Sequence, residues 1–264
     1  VTVYDTISPT INFSTPNIYL DSSGQATITA SDIDNGSIDN CQVDTMWLSQ
    51  YSFQCSDAGS NTLAFYVEDV NGNVSSTALQ VLVKDTITPT VLTHDTTIYL
   101  DNTGVATITV NGIDSNSADV CGLQSLSLSK TSFSCSALGT NTVQLTGIDS
   151  SGNISSEPAT ITVKDTIHPT VITNDIDIYL DATGSATINS TDVDNGSFDN
   201  CNFSRSLDVT SFDCSDTGLN TVTLTVTDTA NNLSSSTAIV TVYDTISPTI
   251  NFSTPNIYLD SSGQ

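Results

Sequence analysis

Residues Asn61–Val83 read NTLAFYVEDVNGNVSSTALQVLV. Over Asn61–Glu68 apolar and polar side chains alternate with period two, the pattern of a strand that buries one face. Asp69–Asn73 (DVNGN) is made of turn formers, and Val74–Val83 runs on as a second strand. The stretch is two strands joined by a tight loop.

Upstream, Ser52–Cys55 is a short extended segment leading to the turn Ser56–Gly59, and Val43–Leu48 is a further strand preceded by the polar loop Ser31–Asn40 (SDIDNGSIDN). Pro9 and Pro16 keep Thr10–Phe13 and Asn17–Leu20 out of helix. The turn Asp21–Gly24 then leads to Gln25–Ala30, which predicts a first hairpin. IYLDNTGVATITV and IYLDATGSATINS copy it downstream, and no amphipathic helical stretch occurs. Alternating strands between Gly, Asn and Asp turns predict an all-β sandwich.

Asp-Thr-Ile-x-Pro-Thr punctuates the chain at Asp5, Asp85, Asp165 and Asp244, in steps of 80, 80 and 79 residues. A motif at fixed interval marks the seam between repeated units. The expected divisions are residues 1–4 as the end of a preceding repeat, 5–84, 85–164 and 165–243 as three repeats, and 244–264 as the start of a fourth. Val1–Gln25 returns residue for residue as Val240–Gln264, after 239 residues, while the internal repeats diverge. The copied unit is therefore the triplet, and the chain is expected to be one period of a longer array.

Twenty-nine acidic residues face only Lys84, Lys130, Lys164 and Arg205, for a formal net charge of -25. Such a surface repels nucleic acid and anionic membranes and attracts cations. No run of 18 apolar residues is present, so no membrane-spanning helix is expected in this segment. His94 and His168 lie at or beside seams without a repeated nucleophile partner, and two cysteines thirteen or fourteen positions apart with no His nearby do not resemble a zinc site. No enzyme is expected. Trp47, the only tryptophan, is expected to be buried in the sandwich.

Cysteines fall two per repeat, Cys41/Cys55, Cys121/Cys135 and Cys201/Cys214, in a Ser- and Thr-rich chain, which favours an oxidising extracytoplasmic compartment. Each spacing brackets a hairpin-like segment, so closure within each repeat is expected: Cys41 with Cys55, Cys121 with Cys135, Cys201 with Cys214. Tracing strands from pole to pole brings the seam and the two loops before the third and last strands together. This gathers Asp5, Asp32, Asp34, Asp39, Asp69 and Asn71 in the first repeat. The second collects Asp85, Asp114, Asp119 and Asp149, and the third Asp165, Asp192, Asp194, Asp199 and Asp228. Hard oxygen donors clustered at a junction suit Ca²⁺, although Asp and Asn are also what turns are made of.

The order Asp-Thr-x-x-Pro, Gly-x-Ala-Thr-Ile, an Asp-Asn loop, Gly-x-Asn-Thr-Val and Asp-x-x-Gly-Asn resembles the hyalin-repeat (HYR) domain. It is most similar to the tandem HYR-like repeats of giant Bacteroidetes surface adhesins of the gliding-motility type. The resemblance implies tandem immunoglobulin-like β-sandwich domains in a linear array, serving adhesion on the cell surface. Common HYR repeats place cysteines in the first and last strands, where this chain has Phe13 and Thr77, so its disulfides must be arranged differently. The resemblance also implies O-glycans on Asp-Thr-aliphatic triplets, here at Thr6, Thr86, Thr166 and Thr245.

Two functions compete. One is a stiff structural stalk whose partners are further copies of the same repeat or neighbouring filaments. The other is a binding module that grips a surface glycan or protein with its pole loops. The seams leave almost no free linker, and loop aromatics and arginines are sparse, which favours the stalk.

Overall fold

The computed structural model describes all residues, Val1–Gln264. In the first repeat the strands are β1 (Asn17–Tyr19), β2 (Gln25–Thr27), β3 (Val43–Leu48), β4 (Ser52–Gln54), β5 (Gly59–Asp69) and β6 (Val74–Lys84). β7 (Thr96–Tyr99), β8 (Val105–Thr107), β9 (Leu123–Leu128), β10 (Ser132–Ser134), β11 (Gly139–Asp149) and β12 (Ile154–Lys164) repeat them. So do β13 (Ile176–Tyr179), β14 (Ser185–Thr187), β15 (Phe203–Leu207), β16 (Ser211–Asp213), β17 (Gly218–Asp228) and β18 (Leu233–Tyr243). Each set forms a four-stranded sheet, ordered β1-β6-β5-β3 in the first, and a two-stranded sheet, β2-β4. The first strand runs parallel to the last, Asn17 beside Leu82, while β5 and β6 pair antiparallel from Gly59/Val83 to Glu68/Val74. The fold is all-β, a series of immunoglobulin-like sandwiches.

Two compact units make up the chain. One comprises Val1–Ile98, Ala106–Phe133 and Gly139–Val163, the other Tyr99–Val105, Ser134–Leu138 and Lys164–Gln264. In the first unit Ile18, Leu20, Ile33, Phe53, Leu63, Phe65 and Val67 form a core from the inward-facing positions of both sheets. In the second, Leu180, Val193, Phe212, Val222, Leu224 and Val240 do the same. Period-two alternation puts the strand residues among them on one face, while Ile33 and Val193 come from the segment after the second strand, and burial supplies roughly 1.5–3 kcal/mol per large side chain.

Three expectations are corrected. The turn Asp21–Gly24 does not close a hairpin ladder. β1 belongs to the larger sheet and β2 to the smaller, so the turn carries the chain from one sheet to the other. Trp47 is only half-buried: it lies on the outer face of β3, stacked on Tyr66 with ring centroids 5.1 Å apart, while its neighbour Leu48 points into the core. The loop Ser31–Asn40 opens with one helical turn, Ala30–Ile33 (α1), whose counterpart is Ser190–Val193 (α2).

The segment Gln42–Gln54 is not a hairpin. β3 leaves the seam end of the repeat and β4 runs on toward the opposite end, where Gln54 pairs with Gln25. One pass is thus shared between two sheets. Counting it once, the chain makes five passes per repeat, which is the odd number a tandem array requires.

Candidate metal centre and disulfides at the repeat seams

Three aspartates in the first repeat are occupied by their own loops. Asp32 closes a capping box on α1, accepting from the Thr29 N–H at 2.7 Å, and Asp192 does so from Asn189 on α2 at 2.7 Å. Asp34 accepts from the Ser37 N–H at 2.9 Å, and Asp114 from Ser117 at 3.0 Å. Asp194 accepts from Ser197 and lies 3.0 Å from Arg205 Nε. Asp69, Asp149 and Asp228, all buried, end the strands before the final loop. Asp149 accepts from the N–H groups of Ser151 and Asn153, both at 2.8 Å, and from Asn153 Nδ2 at 2.7 Å. Burial opposes ionisation of Asp69 and Asp149, but these hydrogen bonds outweigh it and hold both carboxyls below the usual range.

The same asparagine ties the loop to the seam. Asn153 Nδ2 donates to the carbonyls of Asp85 at 3.2 Å and Ile87 at 3.1 Å, and Asn232 Nδ2 donates to those of Asp165 and Ile167, both at 3.2 Å. In the first repeat Asn73 reaches the Asp5 carbonyl and Asn71 the Asp5 carboxylate. Seam, middle loop and final loop do meet, but through amides.

The carboxylates that converge are the seam aspartate and the one before the following cysteine: Asp5 with Asp39 and Cys41, Asp85 with Asp119 and Cys121, Asp165 with Asp199 and Cys201. Their ligand atoms lie within 4.8 Å of one another. Asp85 and Asp165 are 7% and 6% exposed, and each has an Oδ2 without a hydrogen-bond partner, as has Oδ1 of Asp39 and Asp199. Asn200 Oδ1 is another such oxygen beside Asp165, while its Nδ2 donates to Asp165 at 3.2 Å. Burial, and then the charges of Asp165 and Asp228, push the Asp199 carboxyl up.

The disulfide pairing is also corrected. Cys55 bonds Cys121 and Cys135 bonds Cys201, each pair 66 residues apart, while Cys41 and Cys214 are free and exposed. The reason is the one-way course of Gln42–Gln54. It leaves Cys41 beside Asp5 at the seam and carries Cys55 to the opposite pole, where its Sγ lies 3.7 Å from the Gly24 carbonyl. The sequence carries a signal of this pairing: the within-repeat spacing varies between 14 and 13, whereas 66 recurs unchanged.

Gly24, Gly104 and Gly184 form the cradles. Each has φ between +73° and +76°, and a Cβ there would meet Sγ of Cys55, Cys135 or Cys214 at 2.5–2.8 Å. Thr6, Thr86, Thr166 and Thr245 are exposed, as are His94 and His168. No helix is long and apolar enough to cross a membrane.

No family model and no curated protein matches the chain. Similar solved structures include five immunoglobulin domains of Sidekick-1, 9% identical, covering 91% of this chain and 60% of that one with a TM-score of 0.44. Three immunoglobulin domains of titin are 11% identical, with 89% of this chain and 98% of that one covered and a TM-score of 0.38. The protocadherin γB4 extracellular domain is 14% identical over 89% of this chain and 49% of that one, with a TM-score of 0.32. The chain thus spans about half the length of that protocadherin. Its fold is assigned on its own strand order.

Proposed function

We propose that this chain is a non-enzymatic structural segment of a long extracellular filament or adhesin stalk, built from tandem immunoglobulin-like repeats of the HYR type with boundaries at residues 5, 85, 165 and 244. The observation that supports it is the cysteine pairing. An autonomous domain closes its disulfides on itself, whereas Cys55–Cys121 and Cys135–Cys201 each cross a seam. A seam held by one peptide strand and one disulfide carries tension through two covalent paths. Both bonds require an oxidising compartment. The test is immunoelectron microscopy of intact source cells with an antibody to this chain, together with the mass of the reduced, denatured source protein. Label along surface fibres and a mass of many repeats are expected. Label confined to the cell interior, or a mass of a single triplet, overturns the reading. Glycans at Thr6, Thr86, Thr166 and Thr245 belong to the same proposal, and an intact mass equal to that of the bare polypeptide refutes them.

A second reading is favoured by the unpartnered buried oxygens. We propose that Ca²⁺ binds at the seams, held in the third repeat by Asp165, Asp199 and the side-chain Oδ1 of Asn200, with water completing a shell of six to eight oxygens. The disulfide-bonded Cys201 sulfur is not a ligand. Binding to the native state alone raises stability with the logarithm of free calcium. An unchanged melting temperature between chelator and millimolar Ca²⁺ removes this reading.

A further inference from the structure

Cys214 stands where Cys55 and Cys135 stand. Its Sγ lies 3.8 Å from the Gly184 carbonyl, as those of Cys55 and Cys135 lie 3.7 and 3.8 Å from the carbonyls of Gly24 and Gly104. Cys41 likewise stands where Cys121 and Cys201 stand. Its N–H donates to Asp39 at 2.7 Å, as theirs donate to Asp119 and Asp199 at 2.8 Å. Asn200, which precedes Cys201, reaches back to the Asp101 carbonyl in the preceding turn at 3.1 Å, and Asn40 occupies the same place before Cys41. Both free thiols are thus set in frames that elsewhere in the chain hold a bond.

Two further observations identify the partner. The identity of Val240–Gln264 with Val1–Gln25 sets an offset of 239 residues, which places the counterpart of Cys41 in a following copy 66 positions after Cys214, the separation of both formed pairs. Ile257 and Leu259 are 85% and 70% exposed, whereas the residues they duplicate, Ile18 and Leu20, are 4% and 3% exposed in a core. The segment after Asp244 repeats the sequence of a first strand.

We infer that Cys214 forms a third disulfide of this kind, with the Cys41 counterpart in a further copy of the 239-residue unit next in the same polypeptide, so that every seam is cross-linked. This rests on the filament reading. In closing the bond, the two thiols lose two protons and two electrons. A disulfide-bearing oxidant accepts them through a mixed disulfide and leaves as two thiols.

The test uses protein from its source, denatured with an alkylating reagent and without reductant, then digested and mapped by mass spectrometry. A peptide pair joining Cys214 to Cys41 is expected beside the Cys55–Cys121 and Cys135–Cys201 pairs, with the reduced polypeptide remaining very large. Alkylated Cys41 and Cys214 in a very large polypeptide would overturn the third bond and leave the filament reading standing. A Cys214–Cys41 pair in material that falls to one unit on reduction would place the bond between separate chains, overturning both the same-polypeptide assignment and the continuous filament.

Discussion

Replacing Asn153 by alanine is expected to be strongly destabilising, as is the same change at its counterpart Asn232. The Asn153 amide donates to Asp149 Oδ2 at 2.7 Å and to the carbonyls of Asp85 and Ile87 at 3.2 and 3.1 Å. A bond to a charged acceptor contributes roughly 1.5–3 kcal/mol and a neutral one about 1 kcal/mol, so two N–H groups, one serving the carboxylate and one the carbonyls, give about 2.5–4 kcal/mol. The loss is concentrated because Asp149 is fully buried and the Asn153 side-chain amide is the strongest of the donors that keep it charged, the backbone N–H groups of Ser151 and Asn153 remaining in the variant. Asn153→Asp is expected to cost more at neutral pH, since it sets a second carboxylate against Asp149, and to recover partly as acid neutralises one of them. The assay is urea unfolding of the full chain followed by circular dichroism. Fits use a model with more than one transition, because a chain of several sandwiches need not unfold in one step. A shift below about 1 kcal/mol for the alanine variant, or an aspartate variant no worse than alanine at pH 7, would refute the argument that this amide holds the seam.

Thiol labelling of the denatured, unreduced 264-residue chain is expected to modify Cys41 and Cys214 alone, and modification of Cys55 or Cys121 would contradict the observed pairing. Gly104→Ala places a Cβ 2.6 Å from the Asn200 carbonyl at φ +73°; it should free the thiols of Cys135 and Cys201, and an unchanged thiol count would refute the cradle. Asp21, Asp101 and Asp181 are held below the usual range first by the hydroxyls of Ser23, Thr103 and Thr183. Depressed folded pKa values give stability that is complete above the unfolded value near 3.8 and is lost as pH falls through the folded ones, so unfolding free energy should decrease as pH falls below about 4. Asp199 has the opposite sign, with ionisation opposed by the fold. Asp199→Asn should therefore raise the melting temperature at pH 7 in chelator, and a lower one would show that the buried charge is not a burden there.

The strands were legible because their signal is local. In Asn61–Glu68 and Val74–Val83 the alternation follows from the pleat of a strand half of whose side chains face the core, and the structure extends these to Gly59–Asp69 and Val74–Lys84. Val43–Leu48 was likewise visible from its own residues. Which sheet each strand joins is a different kind of fact. Asn17–Tyr19 and Gln25–Thr27 read as two arms of a hairpin, yet one pairs with β6 and the other with β4, because burial of Ile18 and Leu20 between the sheets outweighs pairing across a four-residue turn. The aspartates show the same division. Their gathering near the seams followed from strand direction. Their division into loop-bound carboxylates, such as Asp32 and Asp149, and carboxylates with an unpartnered oxygen, such as Asp85 and Asp165, depends on where each N–H points. The cysteines mark the limit. Sequence set their number and spacing, but the bond between Cys55 and Cys121 depends on Gln42–Gln54 traversing the sandwich instead of folding back. Sulfur pairs with whatever sulfur the packed backbone brings within reach, and proximity along the chain is not proximity in space.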